Sequence, residues 1–166
     1  MEVSVQEKYD YIVIGGGVVG AMIARWLSRY EGRLLLIEKE ADIGMGCSSA
    51  NTAIVHAGYD PLPGSLKALM NVRANPMWDQ LAGDLNFAFE RRGDYVVAVG
   101  DEEVPLVEKL MDQGRKNGVP GMLMIDGAEM RSRERSINPE VSGVLWASTG
   151  GICDPFQVTV AAAENA

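Results

Sequence analysis

The residues that could do chemistry gather in the first sixty positions. Gly15-Gly16-Gly17-Val18-Val19-Gly20 fits the pattern G-x-G-x-x-G. Glycines at this spacing serve three needs. Gly15 makes a tight turn, Gly17 leaves bare backbone for a pyrophosphate to approach, and Gly20 lets a helix pack closely on a strand. The free N–H groups and the positive end of the helix dipole then face the phosphates. Glu38 stands 18 residues after Gly20. A carboxylate there accepts both hydroxyls of an adenosine ribose and repels a 2′-phosphate, which disfavours NADP. A glycine turn without a ligand would explain the glycines but not the placed carboxylate.

The hexamer is a weak signal alone, so its setting matters. Tyr11-Ile-Val-Ile14 is a β-branched run that reads as a buried strand. From Val18 to about Arg29 the chain suits a helix, stopped by Gly32. Arg33 to Ile37 reads as a second buried strand. A strand, helix and strand this close together imply parallel pairing.

Beyond Glu38, residues 40–64 are irregular, a long loop of the kind that usually has a function. Ser65 to Leu81 looks helical, with a break at Pro76. Asn86 to Phe89 and Asp94 to Val99 read as strands, then Glu102 to Asn117 as a helix. Met122 to Ile125 and Val141 to Ala147 read as further strands, and Asp126 with Glu129 resembles a capping box. Thr149 to Gly151 reads as a turn. Asp154 caps a last helix with Pro155 in its first position, and that helix carries an apolar stripe.

The motif does not choose between FAD and NAD. The loop Gly44-Met-Gly46-Cys-Ser-Ser-Ala-Asn51 replaces a prompt second crossover helix and can lie along a pyrophosphate with its hydroxyls and amide. That favours FAD, which runs on to a buried flavin. His56 is the single histidine. It could take a proton from a substrate hydroxyl, or it could be a neutral imidazole that positions the ring. Cys47 could be a reactive thiol, against a small residue packed in the loop. Arg91 and Arg92 could meet an anionic substrate or lie on the surface at a turn. Trp26, Trp78 and Trp146 are expected in the core.

Composition removes other classes. The chain of 166 residues carries a net charge of −8, so nucleic acid is not an expected partner. Its one basic cluster, Arg131, Arg133 and Arg135, is interleaved with Glu129 and Glu134 and reads as a solvated helix end. Two cysteines, Cys47 and Cys153, form neither a disulfide framework nor a zinc pattern, and no metal site is expected. The first ten residues are polar, unlike a secretory signal. The stretch from Tyr11 to Ala24 is too short to span a membrane.

Several segments then resemble the FAD-dependent oxidoreductase family of D-amino acid oxidase, in particular its bacterial glycerol-3-phosphate dehydrogenases and L-2-hydroxyglutarate dehydrogenases. They are the Tyr11-to-Glu38 unit, Ser48-Ser-Ala-Asn51, Ile54-Val-His-Ala-Gly-Tyr59 and Thr149-Gly-Gly-Ile-Cys-Asp-Pro155. Gly93 to Ala98 and Ile137-Asn-Pro139 match in kind and order. The resemblance implies that Gly15, Gly17, Gly20 and Glu38 hold the ADP half of FAD, with Val18, Val19, Lys39 and Cys47 beside them. It implies that Ser48, Ser49 and Asn51 contact pyrophosphate or ribityl groups, and that His56 sits near the isoalloxazine as the candidate catalytic residue. Family members normally continue for a few hundred residues more, so a truncated chain is expected, inactive by itself.

The expected architecture is an α/β Rossmann-like FAD-binding domain with a parallel sheet, interrupted by the start of a mixed α+β substrate domain. Residues 1–64 would hold the βαβ unit and pyrophosphate loop, 65–145 the partial substrate region, and 146–166 the returning FAD-domain segment. The expected function is oxidation of a small hydroxy substrate, glycerol 3-phosphate first, by hydride transfer to FAD. L-2-hydroxyglutarate, an amino acid, or cofactor binding without turnover are the alternatives. Electrons would pass to a quinone or another carrier, in a cytoplasmic or peripheral membrane setting.

Overall fold

The computed structural model describes residues 8–166, so the polar start of the chain lies, up to residue 7, outside the described residues. The chain divides into two compact units. Of the described residues, the first comprises 8–53, 81–88 and 153–166, and the second 54–80 and 89–152.

In the first unit, β1 (Tyr11–Ile14) and β2 (Leu34–Ile37) pair in parallel, with Tyr11 opposite Leu34 and Ile14 opposite Ile37. Helix α1 (Val18–Leu27) makes the crossover and buries Ala21 and Ala24 completely. Small residues on that stripe let backbones approach, and no bulky side chain is needed there. Trp26 lies off the stripe, so it is 56% exposed instead of in the core, and Arg29 stacks over it with 4.3 Å to the ring centroid.

The last helix, α6 (Pro155–Glu164), packs against α1. The Asp154 side chain caps it by accepting from the N–H groups of Phe156 and Gln157. Arg25 Nε donates to Asn165 Oδ1 at 2.9 Å and ties the two helices together. Val158 and Ala162 are buried on this contact, while Phe156 and Val160 stay exposed.

The second unit is built on an antiparallel sheet of β5 (Asp94–Val99), β7 (Val141–Ala147) and β6 (Met122–Asp126), with β7 central. Alternation along the strands divides the core. Ala98, Met122, Leu145 and Ala147 pack with Val107 and Met111 of α4 (Val104–Asn117). Ile125 and Val144 face the other way, toward Met130 of α5 (Gly127–Arg133). Asp126 caps α5 by accepting from the Glu129 N–H, one half of the capping box. Arg131 turns inward to donate to the carbonyls of Pro139 and Val141, so it is not purely a solvated helix end.

A smaller sheet has the order β3 (Ile54–Val55), β8 (Gly151–Cys153), β4 (Phe89–Glu90). Gly151 thus begins a strand where a turn was expected. Only Phe89 of the run from Asn86 to Phe89 is in a strand. Asn86 takes the left-handed conformation (φ 54°) after α3 (Trp78–Leu85), which uses that stretch to end a helix. Pro76 interrupts the long helix as expected, leaving α2 (Leu66–Ala74), a 3-10 turn and α3. The pairing of β1 with β2 is parallel, whereas β3 with β8, and β5 and β6 with β7, pair antiparallel.

Asn75, at the break between α2 and α3, is the polar hub of this unit. Its buried amide donates to the carbonyls of His56 (3.0 Å) and Thr149 (2.9 Å). The Arg91 guanidinium donates to Asn75 Oδ1, the Asn75 and Thr149 carbonyls, and the Asp79 carboxylate. Replacing Asn75 by Ala takes the amide donor from the His56 carbonyl and the acceptor from one guanidinium N–H, while the Thr149 carbonyl keeps Arg91. Asn75→Ala is expected to lower stability by about 2 kcal/mol or more. Arg92→Ala removes only an exposed pair with Glu90 and is expected to cost less than about 0.5 kcal/mol. Equal denaturation midpoints for the two variants would refute this account of the hub.

Candidate cofactor site

The site in the first unit starts from one close approach. A Cβ on Gly20 would lie 1.8 Å from the Gly15 carbonyl oxygen and 3.5 Å from Val13 Cγ1. No side chain fits there. Gly15 itself has φ 107°, open to glycine alone at little cost, and a Cβ on it would meet nothing. The chain therefore leaves β1, turns sharply and enters α1 with its first-turn N–H groups bare of helical carbonyls.

Ser48, 30 residues along the chain, reaches back to this turn. Its Oγ accepts from the Val18 N–H at 2.9 Å, so its own proton is free for an acceptor in the cleft. A Cβ on Gly17 would lie 3.1 Å from that oxygen, so the glycine makes room for the serine as well as for a phosphate.

Glu38, just past β2, closes the other side. Its Oε2 accepts from the Gly16 N–H at 2.6 Å, and its Oε1 from the Lys39 and Glu40 N–H groups. The N–H donors of Glu40 and Gly16 hold the carboxyl below the usual carboxylate range, so it is an anion at neutral pH. A carboxylate has about four lone-pair positions and three are in use. One is left on Oε2, so accepting both ribose hydroxyls requires release of one backbone donor.

Between these groups lies a cleft of about 530 Å³. Of the expected residues, Gly15, Gly17, Glu38, Lys39, Cys47 and Ser48 line it. Cys47 is exposed there and not packed away in the loop. Val18, Val19 and Gly20 form the first turn of α1. Ser49 and Asn51 serve the loop's own turns. The Ser49 hydroxyl donates to the Gly46 carbonyl, and the Asn51 amide donates to the Cys47 and Ser48 carbonyls and accepts from Ala53. Ile14, Ile37, Glu40 and Met45 also line the cleft and were not singled out. For Ile14 and Ile37 the signal was available, since both end strands that lead into the turn.

His56 belongs to the second unit, just after β3. Its side chain is exposed and lines a separate, shallow cleft with Asn71, Asn75 and Trp78. Arg91, a candidate for meeting an anion, spends its donors inside the unit, and Arg92 pairs with Glu90. Among the described residues no group of His, Cys, Asp and Glu could hold a metal ion, and no helix is long and apolar enough to cross a membrane.

A parallel βαβ turn, a helix start whose N–H groups lack helical carbonyls, a placed carboxylate and an adjoining cleft fit a dinucleotide. The chain belongs to the FAD dependent oxidoreductase (DAO) family, whose description matches residues 10–166. It is 43% identical over 158 residues to a glycerol 3-phosphate dehydrogenase of Caloramator mitchellensis, covering 95% of this chain and 33% of that protein. It is 33% identical over 163 residues to a mitochondrial L-2-hydroxyglutarate dehydrogenase of Nematostella vectensis, covering 96% and 35%. The chain thus spans about a third of the length of these curated relatives. Among solved structures, the reduced L-alpha-glycerophosphate oxidase of Mycoplasma pneumoniae with FAD bound matches with a TM-score of 0.89 at 27% identity. The match covers 96% of this chain and 42% of that one. FAD is the cofactor of the family, and the first unit fits it. The glycine turn and the start of α1 would supply donors for the pyrophosphate, and the Glu38 anion an acceptor for the ribose.

The same substitution is expected to act oppositely at two glycines of this unit. Gly20→Ala drives a methyl into a backbone oxygen, which no rotamer relieves, and is expected to cost about 3 kcal/mol. Gly83→Ala meets open space within α3 and is expected to stabilise by about 0.5–1 kcal/mol. Urea denaturation of both variants checks this. A Gly20→Ala protein as stable as the parent would mean that the turn is built differently.

Proposed function

We propose that this chain carries the ADP-holding part of an FAD site, together with the proton-accepting group of an enzyme that oxidises a small hydroxy substrate. In this reading the first unit belongs to the FAD-binding domain and the second begins the substrate domain. The observation that carries it is the glycine turn into α1 beside the Glu38 anion, in a chain of the FAD dependent oxidoreductase family. The N–H groups of that turn bind the pyrophosphate, with the Ser48 hydroxyl as a further donor. Glu38 orients the adenosine through its ribose.

FAD, when bound, supplies a two-electron acceptor for the hydride that leaves the substrate carbon. His56 takes the hydroxyl proton as the carbonyl forms, so that one hydride and one proton leave the alcohol and a ketone results. Glycerol 3-phosphate is the leading substrate, supported by the relative with 43% identity. L-2-hydroxyglutarate is second, supported by the relative with 33% identity. The electrons pass on to a quinone or a comparable carrier.

The test is anaerobic mixing of the FAD-loaded protein with each substrate while the visible flavin absorbance is followed. Glycerol 3-phosphate is expected to bleach it, and to do so faster than L-2-hydroxyglutarate. The reverse order would move the assignment to the second substrate. Bleaching by neither would leave a cofactor-binding part without turnover of its own.

A further inference from the structure

Asp94 opens β5 and is half-buried in the second unit. Its Oδ2 accepts from the Tyr59 hydroxyl at 3.4 Å, whereas its Oδ1 is buried without a hydrogen-bond partner. A buried carboxylate oxygen without a donor is costly, and each such group calls for an explanation. The carboxyl lies directly against Gly150: a Cβ there would be 2.8 Å from Asp94 Cγ and 3.0 Å from Oδ1. Val55 pairs with Gly151 across β3 and β8, and continuing that antiparallel register by one residue sets His56 opposite Gly150. Gly150 thus separates the histidine from the carboxylate with no side chain of its own. The backbone on both sides is pinned, since Asn75 holds the His56 and Thr149 carbonyls together and Gly93 N–H donates to the Gly150 carbonyl.

We propose that Asp94 is a positioning residue for His56, its buried carboxylate providing the fixed counter-charge against which the imidazole takes up a proton. The proposal rests on the reading of His56 as the proton acceptor. The Tyr59 hydroxyl donates to Asp94, and its own backbone N–H and the charge of His56 act on it, with Asp60 acting on Tyr59 and Arg91 binding the carbonyl next to Gly150. Burial pushes the Asp94 carboxyl up, and the histidine charge and the Tyr59 hydrogen bond pull it back. Tyr59 cannot take over the charge, because burial and Asp94 hold its phenol well above the ordinary range.

Two measurements test the proposal. In the first, the Asp94 side-chain carboxyl carbon is followed by NMR across acid pH in the parent and in His56→Gln. Without the imidazolium the carboxyl is expected to titrate at higher pH than in the parent. The same midpoint in both proteins would overturn the proposal, with or without turnover. The second compares the FAD-loaded parent, Asp94→Asn and Tyr59→Phe. Asp94→Asn is expected to lower the rate of flavin reduction on the order of tenfold, to move the acid limb of its pH profile, and to leave FAD affinity unchanged. A uniform loss at every pH, or lost FAD binding, would mark Asp94 as structural and overturn the proposal. If the parent shows no flavin reduction, the function reading fails, and the NMR titration still decides the coupling.

Discussion

The first unit depends on the contact between Gly20 and the Gly15 carbonyl. At 1.8 Å from the place a Cβ would take, the oxygen excludes every residue but glycine. The contact brings α1 onto β1 and fixes where the helix begins. Gly15 and Gly17 of this turn line the cleft, and the first-turn N–H groups lack helical carbonyls that a phosphate could replace. Two residues distant in sequence then lock the turn. Ser48 accepts from Val18, and Glu38 accepts from Gly16. Loop, strand end and helix start therefore hold one another before any cofactor arrives, which reduces the ordering needed on binding.

The second unit solves a different problem. A partly buried guanidinium is costly unless its donors are met. Arg91 meets that condition through Asn75, Asp79 and Thr149. The same bonds take Arg91 out of contention as the group that meets a substrate anion. Among the described residues, no lysine or arginine lines the His56 cleft either. What this unit offers to chemistry is a rigid frame around His56, whose carbonyl is part of the hub.

How far the sequence revealed this follows from the range of the interactions. The glycine turn, the crossover helix, the Pro76 break and the Asp154 cap were legible because each is written within a few neighbouring residues. The placement of Trp26 was not. Core position was inferred from its size, whereas the buried stripe of α1 is set by Ala21 and Ala24. The run from Asn86 to Phe89 has strand character, but its fate was decided by a helix ending at Asn86. The Asn75–Arg91 hub joins positions 16 to 74 residues apart, and no local pattern announces it. The loop that carries Ser48 was legible as a source of hydroxyl donors, and the resemblance singled the residue out. The structure adds that it caps a helix beginning 30 residues earlier.

The account turns on whether the cleft beside Gly15, Glu38 and Ser48 holds FAD. The direct measurement is an FAD titration of the purified chain, followed by flavin fluorescence, beside Glu38→Ala and an NAD titration. The account predicts saturable FAD binding, weakened about tenfold or more by Glu38→Ala as the ribose loses its acceptor, and no comparable affinity for NAD. Preference for NAD, or FAD affinity indifferent to Glu38, would contradict it.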